Sequence, residues 1–200
     1  NSPSTTRSKF SLAMGTRVAI EIEAADRGTA LAAGEAALRA VEAVEARLST
    51  WRVESERARF NRSPEGAWFG LSPELDRDLR AAAWWRRETG GAFDPGLAAL
   101  VAAWGLREGG RVPDAARLAA ALKASGLDLL ELGGGRARRL AAGFGIEEGG
   151  PGKGVALAEA GNAALAAGAS CVWLDLGGQV LLVGRCSDRA VAVAHPADRE

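Results

Sequence analysis

The sequence has no tyrosine, a single histidine and two cysteines among its 200 residues. Cys171 and Cys186 lie outside any CxxC or Cys/His spacing, which leaves a single disulfide, two buried free thiols or no role. Buried free thiols are the leading expectation. We interpret His195, next to Pro196, as a structural or surface residue. No Ser/His/Asp or Cys/His arrangement for nucleophilic catalysis is evident.

A net charge of one sign and long apolar runs are also missing. The 25 basic and 25 acidic residues cancel, and neither sign forms a long block, so nothing indicates electrostatic capture of nucleic acid. The apolar stretches contain charges or glycine and fall short of the roughly 20 residues that span a bilayer. The expected partner is therefore a small molecule or a protein. Because the chain begins Asn-Ser-Pro, a removed export signal stays open as an alternative.

Both helices and strands are predicted, without a regular βαβ rhythm. Residues 1–9 are polar and predict a flexible tail, followed by one domain over 10–200. Val18, Ile20 and Ile22 alternate with charged residues, which predicts a half-buried strand. Further strands are predicted in the β-rich segment 170–186, which a Gly-Gly pair interrupts, and at 190–196. Helical spacing and capping residues predict four helices: 29–51, with Arg47 available for its solvent side, 71–91, 112–126 and 153–168.

The most informative stretch is EEGGPGKGVALAEAG, residues 147–161. Its first part, residues 147–154, is called the lysine loop. A Walker A motif is unlikely, because it needs glycine where this chain has Glu147 and Ser or Thr where it has Gly154. The GxGxxG fingerprint of dinucleotide-binding folds also fails. A glycine-rich turn, one lysine and a helix N-terminus together suit a pyrophosphate. The alternative is a flexible turn with a solvated lysine.

Five segments follow one another along the chain: AMGT (13–16), LSTWRVESERARFN (48–61), TGGAFDPGLAALVAAWG (89–105), the lysine loop and WLDLGGQVLLVG (173–184). In order, spacing and chemistry they resemble the ApbE family, the flavin transferases that move FMN from FAD onto a protein threonine. The resemblance runs from about Leu12 to Pro196.

This resemblance implies an α+β fold, with antiparallel sheets flanked by helices of the tunnelling-fold kind and FAD in a cleft between lobes. It also implies a Mg²⁺-dependent transfer of FMN to an acceptor protein, with AMP leaving and no covalent enzyme nucleophile. Family members are often exported lipoproteins. The implied location is therefore the periplasmic face of a membrane, with a lipid anchor as the only membrane contact.

The site residues are likewise implied by the resemblance. Lys153 is expected beside the FAD phosphates as the catalytic cation, and the carbonyl of Gly152 is expected to bind Mg²⁺. The other residues expected around FAD are Met14, Gly15, Thr16, Ser55, Glu56, Phe93, Asp94, Asp175, Gly177 and Gly178. A purely structural role is the alternative for each: core for Met14, a solvated helix-end charge for Glu56 and a turn-former for Asp175.

The chain departs from the family pattern in several places. Family members usually continue for about another third, which supplies an aspartate and a threonine to the metal site. Threonine is usual at Gly96, aspartate at Glu147, tyrosine at Val155 and aspartate at Ala158. The chain is therefore either part of a longer enzyme or a shortened relative that binds a flavin dinucleotide without transferring it. An FAD pyrophosphatase that uses water instead of threonine is the third alternative.

Overall fold

The computed structural model of the protein describes residues 5–147, 149–188 and 190–193. Within these ranges the chain forms two antiparallel sheets and six α-helices, which confirms the predicted α+β class. The elements are β1 (Thr5–Ala13), β2 (Thr16–Ala24), α1 (Arg27–Leu48), α2 (Glu56–Asn61), β3 (Phe69–Gly70), α3 (Pro73–Glu88), α4 (Ala98–Ala103), α5 (Ala115–Lys123), a 3-10 turn (Leu127–Leu129), β4 (Leu130–Gly133), β5 (Arg136–Arg139), α6 (Gly152–Ala166), β6 (Ala169–Leu176) and β7 (Gln179–Gly184).

The larger sheet has the strand order β1-β2-β6-β7. Its central strands pair with Val18 opposite Leu176 and Ile22 opposite Val172. These four side chains are buried, as the alternation in β2 predicts, and they form the core with the helices α1 and α6. The two helices pack against each other and against the sheet. Burial of this apolar face is the main stabilising contribution to the fold.

The four predicted helices are confirmed as α1, α3, α5 and α6. Side chains cap the first three at their N-termini: Asp26 for α1, Ser72 for α3 and Asp114 for α5. Helix α6 lies so close to β7 that a Cβ atom at Gly161 would come within 2.9 Å of Leu181 Cδ2. No helix in the described ranges has the length and apolar character needed to cross a membrane.

Short elements escaped prediction. The smaller sheet, β3-β5-β4, is built from strands of two and four residues. Helices α2 and α4 have six residues each. Periodicity needs a longer window than these segments offer, so it does not detect them.

The two ends of the chain differ from expectation. Strand β1 begins at Thr5, inside the expected tail 1–9, because its backbone pairs with β2 along nine residue pairs from Thr5–Ala24 to Ala13–Thr16. Residues 190–193 are not in a strand, although a strand was predicted for 190–196. His195 lies outside the described residues.

The expectation of buried free thiols is wrong: Cys171 and Cys186 form a disulfide. The backbone explains how they meet. Gly184, with φ of +100°, turns the chain after β7, and Arg185 N then donates to Ser170 O at 2.7 Å. Cys186, the next residue, is thereby brought against β6, which contains Cys171.

Candidate functional site

Two hairpin turns of the larger sheet meet at one end of the molecule. Met14 and Gly15, both with positive φ, turn β1 into β2, and Gly177 begins the turn between β6 and β7. The Gly177 N–H donates to Arg17 O at 3.1 Å. A Cβ atom at Gly177 would lie only 2.4 Å from Thr16 Oγ1. The structure therefore brings two of the sequence-predicted segments, 14–16 and 175–178, into direct contact.

Hydrogen bonds hold both turns in place. The Met14 N–H donates to Glu45 Oε1 of α1 at 2.9 Å, and the half-buried Met14 side chain packs against the core. Asp175 Oδ1 accepts the Gly178 N–H at 2.7 Å. The Asp175 carboxylate thus stabilises its own turn, as in an Asx-type motif.

The lysine loop lies beside these turns. A Cβ atom at Gly154 would be 3.5 Å from Gln179 Nε2, the first residue of β7. Helix α6 begins at Gly152 after Pro151, and no side chain caps it. Its first N–H groups have no partner within the helix, and together with the helix dipole they favour an anion at this end.

Lys153 lies in the first turn of α6 and is half-buried. Within the described part of the chain it makes no hydrogen bond or ion pair with another side chain. Since no described side chain bonds it, its ammonium group is available to a ligand. It lies at the helix end that favours anions.

The Phe93–Pro95 turn packs against the other side of the lysine loop. The Glu147 N–H donates to Pro95 O at 2.8 Å, and a Cβ atom at Gly150 would lie 3.1 Å from Phe93 Cε2. Phe93 also lines an open, mostly apolar groove of about 450 Å³ between α3 and α6. The residues that share this groove are Asp78, Ala81, Ala82, Trp85, Pro151, Gly154, Val155 and Ala158.

Asp94 is held by partners inside the protein. Its carboxylate accepts Arg86 Nε at 2.5 Å, Gly96 N at 2.8 Å and Leu127 N at 3.1 Å. The hydrogen bond to Asp94 raises the pKa of Arg86, whose guanidinium also binds Asp128. Asp94 therefore joins α3, its own turn and the segment before β4.

The same arrangement explains why glycine stands at position 96. A Cβ atom there would lie 2.7 Å from the carbonyl carbon of Gly126 and 2.8 Å from Leu127 N. The Gly126 N–H donates to Gly96 O at 2.8 Å. Because backbone rather than a mobile side chain occupies this space, the threonine usual in the family would not fit without a shift of the chain.

Ser55 and Glu56 hold the starts of two helices. Ser55 Oγ accepts the Ala58 N–H at 3.0 Å, which caps α2. The Glu56 carboxylate accepts the Ser72 N–H and its hydroxyl, each at 2.6 Å, at the start of α3. The alternative of a solvated helix-end charge does not describe Glu56, since both of its oxygens are engaged. Asn61 of α2 bonds both backbone groups of Ile146, directly before the lysine loop.

An ionic cluster lies beneath the groove. Arg47 of α1 donates to Asp78 Oδ2 of α3 at 2.8 Å and to Glu159 Oε1 of α6 at 2.7 Å. Its side chain is 8% exposed, so the expected position on the solvent side of α1 is wrong. Burial raises the pKa of Asp78, against the opposing effect of the Arg47 guanidinium. Residues 112 positions apart form this cluster, so local patterns do not reveal it.

A second cavity, of about 280 Å³, is lined in part by Glu147, the first residue of the lysine loop. Arg107, Thr50 and Glu147 are among the residues that line it. Arg107 Nη2 donates to both carboxylate oxygens of Glu147, at 2.7 and 2.9 Å. No local sequence pattern identifies Arg107, because an arginine in a polar loop carries no distinguishing signal.

The residues present do not by themselves fit a magnesium ion. Among the described residues, no group of three or more His, Cys, Asp or Glu side chains lies in a position to hold a metal. Gly152, whose carbonyl was the expected ligand, is buried in the first turn of α6. One carbonyl oxygen is too few for Mg²⁺, which prefers six oxygen ligands. The described residues alone therefore do not complete a magnesium site.

Comparisons with known proteins agree on one family. A family model described as the ApbE family matches residues 14–200. A comparison with curated proteins gives no match.

Solved structures share the fold. The apo flavinyl transferase ApbE of Pseudomonas stutzeri is 21% identical with a TM-score of 0.82, and the match covers 91% of this chain and 60% of that one. A flavin transferase ApbE from Vibrio cholerae is 23% identical, with a TM-score of 0.79 and coverage of 89% and 59%. The ApbE protein of Thermotoga maritima is 27% identical, with a TM-score of 0.82 and coverage of 90% and 59%. This chain thus spans about 60% of the length of these relatives.

Proposed function

This chain belongs to the ApbE family, and we propose that it binds FAD and takes part in the transfer of FMN from FAD to a threonine of an acceptor protein. The observation that carries the proposal is the meeting of three segments. Thr16 lies against Gly177, and Gly154 lies beside Gln179, so the β6–β7 hairpin contacts both the β1–β2 turn and the first turn of α6. Because the chain spans about 60% of its solved relatives, the complete transfer activity is part of the proposal.

We place the pyrophosphate of FAD at the start of α6. Three features of this end support the assignment: the uncapped N–H groups, the helix dipole, and Lys153 in the first turn. Gly152 and Gly154 flank the lysine, so the backbone on both sides lacks side chains that would hinder a close approach. Phe93, across the loop, offers an aromatic contact in the adjoining groove.

The proposed reaction needs charge stabilisation more than covalent help. A threonine Oγ attacks the FMN phosphorus, the bond from that phosphorus to the bridging oxygen breaks, and AMP leaves with the electron pair. The threonine proton goes to solvent or to a base that the acceptor complex supplies. Lys153 and the α6 N–H groups would stabilise the negative charge on the phosphate oxygens. Positioning of the two reactants is the other contribution expected of such a site.

Asp94, Glu56 and Asp175 take supporting roles in this proposal. Their carboxylates are bonded to backbone and side-chain donors of the protein. We propose that they shape the segments around FAD rather than bind it through those oxygens. The remaining residues of the two turns, Met14 and Gly15 among them, would contact FAD through backbone or apolar surface.

A second candidate is a flavin-nucleotide binding module without transfer activity. The available metal ligands favour this candidate. Among the described residues, no cluster of His, Cys, Asp or Glu side chains accompanies the Gly152 carbonyl. The products distinguish the candidates. FMN covalently attached to the acceptor indicates transfer, free FMN with AMP indicates a pyrophosphatase, and unchanged FAD indicates binding alone.

The first test is a calorimetric titration of the chain with FAD, with and without Mg²⁺. Lys153→Ala should weaken FAD binding about tenfold or more, because a charge-assisted contact contributes about 1.5–3 kcal/mol. The melting temperature should stay unchanged, since Lys153 has no partner among the described side chains. Lys123→Ala, at an exposed position in α5, is the matched control. Equal FAD affinity of the two variants would contradict the phosphate role of Lys153.

The acceptor is proposed to lie outside the cytoplasm. The disulfide between Cys171 and Cys186 is compatible with an extracytoplasmic location, because disulfides persist mainly in oxidising compartments. A periplasmic protein that carries the modified threonine is the partner this location implies.

A further inference from the structure

One guanidinium group joins three segments of the chain around the 280 Å³ cavity. Arg107 donates to the Glu147 carboxylate of the lysine loop at 2.7 and 2.9 Å. It also donates to the Thr50 carbonyl at 3.3 Å, and its guanidinium carbon lies 5.1 Å from the centroid of the Trp51 ring.

The loop that carries Arg107 is held in a defined shape. The chain turns at Gly105, with φ of +58°, and the Gly110 N–H returns to Gly105 O at 2.9 Å. The Arg111 N–H donates to Trp104 O at 2.7 Å, which closes the loop against the end of α4. Arg107 therefore extends from a loop whose backbone is held by its own hydrogen bonds.

The ion pair of Arg107 and Glu147 is partly shielded from water. Their side chains are 32% and 17% exposed, and one nitrogen contacts both carboxylate oxygens. Partial burial reduces the screening of this pair by solvent, although a single nitrogen does not form the two-nitrogen bidentate geometry. The backbone of Glu147 is itself bonded to Pro95. Arg107 thus connects the Thr50–Trp51 segment, across the cavity, to the loop that leads into α6.

We propose that Arg107 is a positioning residue of the dinucleotide site. It fixes the distance between Glu147 and the Thr50–Trp51 segment. At that distance the cavity admits one ring system of the dinucleotide. The cavity is slightly smaller than the range of about 300–1,000 Å³ that is typical of ligand pockets, so a shift of either wall changes what fits. This inference rests on the proposed function. Arg107 acts through its two neighbours and not as a charge that attracts phosphate.

The test separates positioning from charge. FAD affinity is measured by calorimetry for the wild-type chain, Arg107→Ala, Arg107→Lys and the double variant Arg107→Ala/Glu147→Gln. Positioning predicts that Arg107→Ala weakens FAD about tenfold, that lysine restores only part of the loss, and that the double variant stays weak. Full recovery in either of the last two would overturn the proposal, because the net charge alone would then suffice.

Arg80→Ala is the matched control. Arg80 forms a comparable two-bond ion pair with Asp76 on α3, at 2.7 and 3.0 Å, and it lines neither the cavity nor the groove. It should retain wild-type FAD affinity. If Arg80→Ala weakens FAD as much as Arg107→Ala does, the loss is a general effect of removing an ion pair and the proposal is overturned.

A nuclear magnetic resonance measurement without ligand tests the contact between Arg107 and Trp51. The indole N–H resonance of Trp51, assigned with Trp51→Phe, should shift in Arg107→Ala while those of Trp84 and Trp85 stay in place. A general loss of structure would move all three, and an unmoved Trp51 resonance would overturn the proposal.

The two proposals fail in different ways. A wild-type chain that binds no FAD refutes the proposed function, and the ligand role of Arg107 with it. A wild-type chain that binds FAD, together with an Arg107→Ala variant that binds it equally well, refutes the role of Arg107 alone.

Discussion

Gly177→Ala should separate the two hairpin turns that meet at the candidate site. Alanine at φ of +61° costs roughly 1 kcal/mol of backbone energy. Its Cβ atom would lie 2.4 Å from Thr16 Oγ1 and 2.9 Å from Thr16 Cγ2, so the threonine or the turn must move, which costs about 1–3 kcal/mol. The expected loss is therefore about 2–4 kcal/mol in the free energy of unfolding, or a decrease of about 5–15 °C in melting temperature.

The neighbouring glycine offers a control that separates the two contributions. Gly178 also has positive φ, +88°, but a Cβ atom there would meet nothing within 4 Å. Gly178→Ala should therefore lose only the backbone contribution, about 1 kcal/mol. In the double variant Gly177→Ala/Thr16→Ala, most of the contact contribution should be recovered, because the clashing atoms are gone.

Urea denaturation followed by far-ultraviolet circular dichroism measures these differences at constant m-value. If Gly177→Ala and Gly178→Ala lose equal stability, or if Thr16→Ala recovers nothing, the close contact between the turns is refuted. The β1–β2 turn would then no longer be expected to belong to the candidate site.

Two further substitutions address segments away from this contact. Gly96→Thr, which introduces the residue usual in the family, should destabilise the chain by about 1–3 kcal/mol, because its Cβ atom would overlap the backbone at Gly126 and Leu127; wild-type stability in urea denaturation would show that this backbone lies elsewhere. Cys171→Ser should cost about 3 kcal/mol, since the disulfide closes a loop with a sequence separation of 15. Reduction of the wild-type chain should cost the same, and unchanged stability on reduction would contradict the disulfide.

Much of the helical structure could be predicted, because helical signals are local. A cap such as Asp114 and an apolar stripe are both contained within one segment of sequence. Strand β2 could be predicted from Val18, Ile20 and Ile22 for the same reason. Strand β1 could not, since its polar sequence is stabilised by the backbone of β2 and not by an apolar pattern of its own.

The candidate site was predictable only as a set of segments. Position in sequence placed Lys153 at the start of a helix and Gly177 in a turn between strands. The partners of Asp94 and Arg47 lie up to 33 and 112 positions away, and no local pattern identifies them. The same holds for the disulfide: the spacing of the two cysteines did not identify it, and free thiols were the leading expectation.

The class of fold, the order of the motifs and the chemistry that the lysine loop can offer could all be inferred from the sequence. These properties depend on residue type and short-range spacing, which act through local backbone preference. The three-dimensional structure was needed to show which carboxylates are bonded within the protein, why glycine stands at 96, and that Arg107 contacts both Glu147 and Trp51. Those outcomes depend on which distant segments share one volume, and close packing of the whole chain sets that.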